Sequence, residues 1–139
     1  MKIFTVIAFV CYLFVATNSF PTTQEATSPR PLSELAVKCS NNNHVPLDRA
    51  RVLLSNHFAQ ASNQNEKCLA HCYLDGKGYF VNEKVDFDKL LENHKKYLPV
   101  SQHDELTKSF KACETKMDYN QDKCEVAYQA YQCAEGAKS

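Results

Sequence analysis

The chain has 139 residues, of which 16 are basic and 16 acidic, so its formal net charge at pH 7 is zero. This length suits one domain of ordinary size, and the balanced charge provides no long-range field for nucleic acid or for an anionic membrane surface. Nucleic-acid binding is therefore not expected.

Residues 1–19 have the pattern of a secretory signal peptide. Lys2 supplies the positive charge, an apolar run of 14 residues extends from Ile3 to Ala16, and Thr17 and Ser19 are small residues suited to cleavage. A membrane-spanning helix needs about 20 apolar residues, so this run is too short to remain as an anchor. We therefore expect cleavage after Ser19 and a secreted, extracellular protein without membrane insertion.

Residues 20–31 (FPTTQEATSPRP) are rich in Thr, Ser and Pro and poor in aliphatic side chains. Such a segment can bury too little apolar surface to fold, so a disordered leader is expected here. The folded domain is then expected at residues 32–139.

Beyond the leader, apolar residues recur at helical spacing, and residues that favour helix starts and stops separate the segments. Ser62 or Asn63 should cap the third helix, and Ser101 with Asp104 resembles an acidic capping box at the start of the fifth. The six predicted helices are Leu32–Ser40, Pro46–Asn56, a segment around Cys68–Tyr73 that is broken at Asp75–Gly78, Asp86–Tyr97, a segment that carries Leu106 to Met117, and Gln121–Ala134. No strand pattern of convincing length occurs, so the predicted fold class is all-α.

The cysteines are the most informative residues of the chain. Cys11 lies in the signal segment, and the other six follow the pattern C-x28-C-x3-C-x40-C-x10-C-x8-C, which in a small secreted domain predicts three disulfides. Cys68 and Cys72 lie one helical turn apart with roughly parallel side chains, so a bond between them is disfavoured. Cys124 and Cys133 lie on opposite faces of the last helix, which should therefore be tied to two different elements. These limits leave several pairings open.

The C-x3-C and C-x8-C spacings, together with the stretch CEVAYQAYQC from Cys124 to Cys133, resemble insect odorant-binding proteins of the six-cysteine class. The similarity covers about Leu32 to Cys133. It implies six helices around an apolar cavity. It also implies an interlocked pairing, which on this chain is Cys39–Cys72, Cys68–Cys124 and Cys113–Cys133.

Bulky apolar and tyrosine side chains are the candidate walls of such a cavity, because carriers use apolar walls with a few polar groups. The candidate ligand-binding residues are Leu53, Phe58, Leu69, Tyr73, Phe80, Leu90, Leu91, Leu98, Phe110, Met117, Tyr128 and Tyr131. Phe110 and Met117 are expected to matter most, since they share a helix face with Cys113. His94 is expected on the inward side of the fourth helix.

The leading hypothesis is a carrier that binds small hydrophobic ligands (odorants, pheromones or fatty acids) in an internal cavity. The alternative is a salivary or seminal protein of the same class that sequesters host amines or lipids, or that acts through surface contacts with other proteins. A membrane receptor and a second copy of the chain are further candidate partners. No catalytic or phosphate-binding motif occurs, and Cys68-x-x-His71-Cys72 should have its sulfurs in bridges, so an enzyme, a cofactor and a metal site are not expected.

Overall fold

The computed structural model describes residues 30–136. The chain divides into two units, Met1–Arg30 and Pro31–Ser139, and all the elements below belong to the second. The predicted signal peptide and all but the last two residues of the predicted leader lie outside the described residues.

Helices dominate the described part of the chain, which confirms the all-α, disulfide-linked, six-helix prediction. The α-helices are α1 Glu34–Asn42, α2 Leu47–Ser55, α3 Gln64–Gly76, α4 Phe87–Lys95, α5 His103–Lys116 and α6 Lys123–Gly136. A single 3-10 turn, Val100–Gln102, leads into α5. The predicted boundaries agree with these to within about two residues.

Capping side chains explain where α1, α3 and α4 begin. Ser33, Asn63 and Asp86 each accept a hydrogen bond from the backbone N–H three residues later, at 3.2, 3.0 and 3.0 Å. Each bond satisfies a donor that has no partner within the helix.

The expectation that Ser101 caps the fifth helix is wrong. Ser101 lies inside the 3-10 turn, and α5 begins after Gln102, whose side chain makes no capping bond. The backbone of the 3-10 turn supplies an acceptor instead, because the N–H of His103, the first residue of α5, donates to the carbonyl of Val100. A 3-10 turn of this kind is a common entry into an α-helix.

The end of α3 is a Schellman motif closed by glycine. The N–H of Gly78 donates to the carbonyl of Asp75 at 2.8 Å, and the N–H of Tyr79 donates to the carbonyl of Leu74 at 2.9 Å. Gly78 has a φ of 74°, which glycine adopts without steric cost. The motif reverses the chain and sets the direction of the next residues.

A two-stranded antiparallel hairpin follows α3 and was not predicted. Its strands are β1 Phe80–Val81 and β2 Lys84–Val85, with Phe80 opposite Val85. Asn82 and Glu83 form the turn with φ values of 51° and 63°. Positive φ at both positions is the geometry of a tight type I′ turn, which usually carries Asn-Gly. Because Glu replaces that glycine here, the sequence gives little sign of the hairpin.

α3 and α6 form the centre of the helical core. Leu69 and Ala70 of α3 and Val126 and Ala127 of α6 are at most 2% exposed. At the edge of this helix pair, Lys67 Nζ lies 2.6 Å from a carboxylate oxygen of Glu125. Burial of this apolar surface is the main favourable term in the stability of such a core.

Disulfides join the helices around this centre, and each bridge has at least one member on α3 or α6. They link α1 to α3, α3 to α6 and α5 to α6, so α6 is tied to two different elements. The bridges are Cys39–Cys72, Cys68–Cys124 and Cys113–Cys133, the pairs that the resemblance implies.

Among the helices of residues 30–136, none combines the length and the apolar character needed to cross a bilayer.

Candidate functional site

A cavity of about 560 Å³ lies between the C-terminal halves of α3, α4 and α6. Its volume falls within the range of small-molecule sites in proteins, roughly 300–1,000 Å³. The residues that line it are His57, Tyr73, Leu74, Lys77, Tyr79, Leu90, Asn93, His94, Tyr97, Leu98, Ala130, Tyr131, Ala134 and Glu135.

The walls of the cavity are mainly apolar. Leu74 of α3, Leu90 of α4, and Ala130 and Ala134 of α6 are each less than 8% exposed, and Leu98 adds a half-buried aliphatic side chain. The two alanines leave room beside α6 that larger side chains would fill. This part of the cavity suits a hydrocarbon group.

Four tyrosines line the cavity, of which Tyr97 is exposed, while Tyr73, Tyr79 and Tyr131 are half-buried and add phenol groups to the apolar walls. Burial, and secondarily the neighbouring phenols of Tyr73 and Tyr79, raise the pKa of Tyr131 well above its usual range, so its hydroxyl remains protonated. The Tyr131 ring also packs on Phe58, with 4.7 Å between ring centroids. Within residues 30–136, the three hydroxyls make no hydrogen bond to the protein, so they are available to a bound molecule.

His94 is held in one tautomer by its own helix. Its Nδ1 atom lies 2.8 Å from the carbonyl oxygen of Leu90, which can only accept, so Nδ1 carries a proton. The ring also contacts Phe110, with 5.2 Å between centroids. In the neutral imidazole, Nε2 is therefore an acceptor on the cavity side of α4.

The rim of the cavity contains a histidine–carboxylate contact next to strained backbone. His57 Nδ1 lies 3.0 Å from a carboxylate oxygen of Glu135, which links the segment after α2 to the end of α6. His57 and Phe58 have φ values of 51° and 63°, a conformation that is uncommon for residues with a side chain and a clear outlier for one as bulky as Phe58. Complete burial of the Phe58 side chain offsets this strain.

Four of the twelve candidate ligand-binding residues line the cavity: Tyr73, Leu90, Leu98 and Tyr131. The other eight do not line it in the described part of the chain: Leu53, Phe58, Leu69, Phe80, Leu91, Phe110, Met117 and Tyr128. Six of these eight are buried core residues, while Met117 and Tyr128 are half-buried.

The structure does not place Phe110 and Met117, expected to matter most, at the cavity wall. Phe110 is 1% exposed and packs edge-to-face on Phe87, with 6.3 Å between centroids. Met117 ends α5. A shared helix face shows which side chains turn inward, but it does not distinguish a filled interior from an open one.

The cavity residues that sequence reasoning missed lie mostly in the last turns of helices and just beyond them. Lys77 and Tyr79 follow α3, Tyr97 follows α4, and Ala134 lies near the end of α6. The one signal in the sequence that could have indicated these residues is the position of tyrosines and a lysine directly after the residues that end a helix. The sequence does not show that three helix ends lie close together. His94 does face the cavity.

One group of potential metal-ligand atoms occurs within residues 30–136: Cys68, Asp122 and Cys124, whose atoms lie within 4.8 Å of one another. The two sulfurs form a disulfide, so neither is the thiolate that a metal ion requires.

Comparison with known protein families finds one that matches this chain. The chain matches the family model described as PBP/GOBP family over residues 22–136, which is most of its length. No curated protein and no solved structure matches the chain. The six cysteines form three disulfides that fit the same family. The chain therefore belongs to the PBP/GOBP family, the insect odorant-binding protein family, whose members are secreted, non-enzymatic carriers of small hydrophobic ligands.

Proposed function

We propose that this chain is a secreted carrier that encloses a small hydrophobic or amphipathic molecule, such as an odorant, a pheromone or a fatty acid, in the cavity between α3, α4 and α6. The observation that carries this proposal is the apolar cavity of about 560 Å³ with phenol groups in its wall. Family membership supports the carrier role in general.

Burial of apolar surface gives enough free energy for such a role. A ligand that loses about 300 Å² of apolar surface to the cavity gains roughly 7.5 kcal/mol at about 25 cal/mol per Å², before the cost of association. Dissociation constants in the micromolar range are the expected result.

A fluorescent apolar probe, N-phenyl-1-naphthylamine, tests the proposal. The wild-type chain should bind it with a large rise in emission. Ala134→Phe should weaken binding at least about tenfold, because the new ring occupies space that the buried Ala134 leaves open.

Ala112→Phe is the matched control, since Ala112 is exposed on α5 and does not line the cavity. Circular dichroism and thermal unfolding should be recorded for both variants. Unchanged probe affinity in a folded Ala134→Phe variant would contradict the proposed cavity. No binding of the probe by the wild type would contradict the carrier function.

The alternative of amine sequestration finds little support at this site. Glu135 is the only carboxylate among the described residues that line the cavity, and it is engaged by His57. An alternative role through surface contacts would not require the cavity. Native mass spectrometry of gently purified protein separates the two classes, because a carrier retains or takes up one small ligand per chain.

A further inference from the structure

We infer that the cavity prefers amphiphiles with an anionic, carboxylate-like head group, which Lys77 recognises at the end of α3, an inference that rests on the proposed carrier function. The apolar walls and family membership alone do not distinguish an acid from an alcohol or an amine. The distribution of hydrogen-bond donors and acceptors around the cavity does.

Lys77 is a cation of the cavity wall without an anionic partner. Its side chain lines the cavity, and its Nζ lies 5.5 Å from the centroid of the Tyr73 ring. No carboxylate within residues 30–136 forms an ion pair with it. The ring face gives the ammonium a weak electrostatic partner and leaves its three N–H donors open to a ligand.

Other donors lie in the same wall. The hydroxyls of Tyr73, Tyr79 and Tyr131 and the amide of Asn93 line the cavity, and within the described residues none of them has a hydrogen-bond partner in the protein. A carboxylate accepts at up to about four lone-pair sites, so it complements one ammonium and several hydroxyls together. An ammonium head group would instead place a second positive charge beside Lys77.

Four backbone carbonyls beside the cavity already accept hydrogen bonds. The carbonyls of Leu74 and Asp75 accept the two bonds of the Schellman motif. The carbonyls of Lys95 and Leu98 both lie within 3.1 Å of Nε2 of His103, which must therefore carry a proton and donate to them. These carbonyls, at the ends of α3 and α4, are therefore less available to a cationic ligand.

The helix dipoles oppose an anion here, because the C-terminal ends of α3, α4 and α6 all border the cavity. A helix C-terminus carries about half a negative elementary charge, which acts only within its last turn. Basic side chains counter the dipoles of the first two helices, with Lys77 at the end of α3 and Lys95 in the last turn of α4. The remaining anion of the wall, Glu135, is bonded to His57 at 3.0 Å.

Three ligands with the same 12-carbon chain test the inference: dodecanoate, dodecanol and dodecylamine. Each should be titrated at pH 7.5 as a competitor of N-phenyl-1-naphthylamine. Dodecanoate should bind about fivefold more tightly than dodecanol, the size expected for a partly exposed ion pair, and dodecylamine most weakly. Lys77→Gln should remove the advantage of dodecanoate over dodecanol, and Lys77→Glu should move the preference toward dodecylamine.

Lys89→Gln is the matched control. Lys89 also lies over a cavity tyrosine, with Nζ 5.9 Å from the Tyr79 ring, but it bonds the carbonyl of Gly78 and does not line the cavity. This variant should keep the preference for dodecanoate. If Lys89→Gln abolished the preference as strongly as Lys77→Gln, general charge would be its cause and the assignment to Lys77 would fall.

Two further results would overturn the inference while leaving the carrier function intact. They are equal displacement of the probe by all three ligands, and tighter binding of dodecylamine by the wild type. Failure of the wild type to bind the probe at all would overturn both the inference and the proposed function.

Discussion

At the residue scale, the buried carboxylate of Glu66 links α2 to the start of α3. Glu66 is the only charged residue buried within residues 30–136. Its carboxylate accepts from Nε and Nη2 of Arg49 at 2.7 and 3.0 Å and from the backbone N–H of Ser62 at 2.8 Å. Because Arg49 belongs to α2 and Glu66 to the first turn of α3, these bonds fix the connection between the two helices.

Hydrogen bonds from Arg49 lower the pKa of Glu66, and they outweigh the opposite effect of burial. A lowered pKa stabilises the fold above the pKa of the unfolded-state carboxyl, about 4.3, and this contribution is lost as the pH falls through the lower folded-state value. Glu66→Gln should therefore reduce the free energy of unfolding at pH 7, and the gap to the wild type should narrow below about pH 4. Urea denaturation at pH 7 and pH 3 measures both values.

Glu92→Gln provides the control for this prediction. Glu92 also forms an ion pair, with Lys95 at 3.1 Å, but its side chain is 70% exposed. Exposed pairs of this kind contribute little, so the control should match the wild type at both pH values. An equal loss of stability in Glu66→Gln at pH 7 and pH 3 would show that the ionised carboxylate is not the stabilising form.

At the element scale, the helices could be predicted from the sequence and the hairpin could not. Apolar spacing and caps such as Asn63 and Asp86 act within a few residues, so they are visible in the sequence. The hairpin depends on Asn82 and Glu83 adopting positive φ, for which the sequence has no glycine. Burial of Phe80 and Val85 on one side of the hairpin stabilises a turn that local preference does not favour.

The residues of the candidate site could be predicted only in part, because a cavity depends on how distant segments pack together. Periodicity identified inward-facing residues such as Tyr73, Leu90 and Tyr131 because the direction of a side chain follows from its position in a helix. Whether an inward side chain meets a neighbour or open space depends on how several helices pack. Phe110 is inward and packed, whereas Lys77 and Tyr79 reach the cavity through a turn.

The glycine turn that ends α3 should matter both for the stability of the fold and for the cavity, since Gly78 lies between Lys77 and Tyr79. Gly78→Ala should lower the free energy of unfolding by about 1 kcal/mol, because alanine at a φ of 74° is disfavoured by roughly 1–2 kcal/mol. It should also weaken binding of the naphthylamine probe, since Lys77 and Tyr79 flank the altered residue. Denaturation and probe titration measure the two effects.

Gly78→Asn serves as the comparison, because asparagine tolerates left-handed backbone better than alanine does. Its loss of stability should be smaller than that of Gly78→Ala. If alanine cost no more than asparagine at this position, backbone geometry would not be what glycine contributes here.

At the scale of the whole molecule, α6 is held by two disulfides that act on different parts of the structure. Cys68–Cys124 fixes the start of α6 to α3, and Cys113–Cys133 fixes its second half to α5. The cavity residues of α6 lie in that second half, on both sides of Cys133. Global stability and the shape of the cavity should therefore depend on these two bridges unequally.

Two double variants, each lacking one of these bridges, should differ in both stability and probe binding. Cys68–Cys124 spans 56 residues and Cys113–Cys133 spans 20. On the chain-entropy model, their removal by paired substitution with alanine costs about 4 and about 3 kcal/mol, respectively. Probe affinity should follow the opposite order, because loss of Cys113–Cys133 frees the part of α6 that lines the cavity.

Both quantities are measured on the same preparations, with urea denaturation for stability and probe titration without urea for affinity. The variant Cys113→Ala/Cys133→Ala should be the more stable of the two and the weaker binder, whereas Cys68→Ala/Cys124→Ala should show the reverse. If the less stable variant also bound the probe more weakly, the cavity would depend on overall stability alone. The two bridges would then have no separate roles in framing the site.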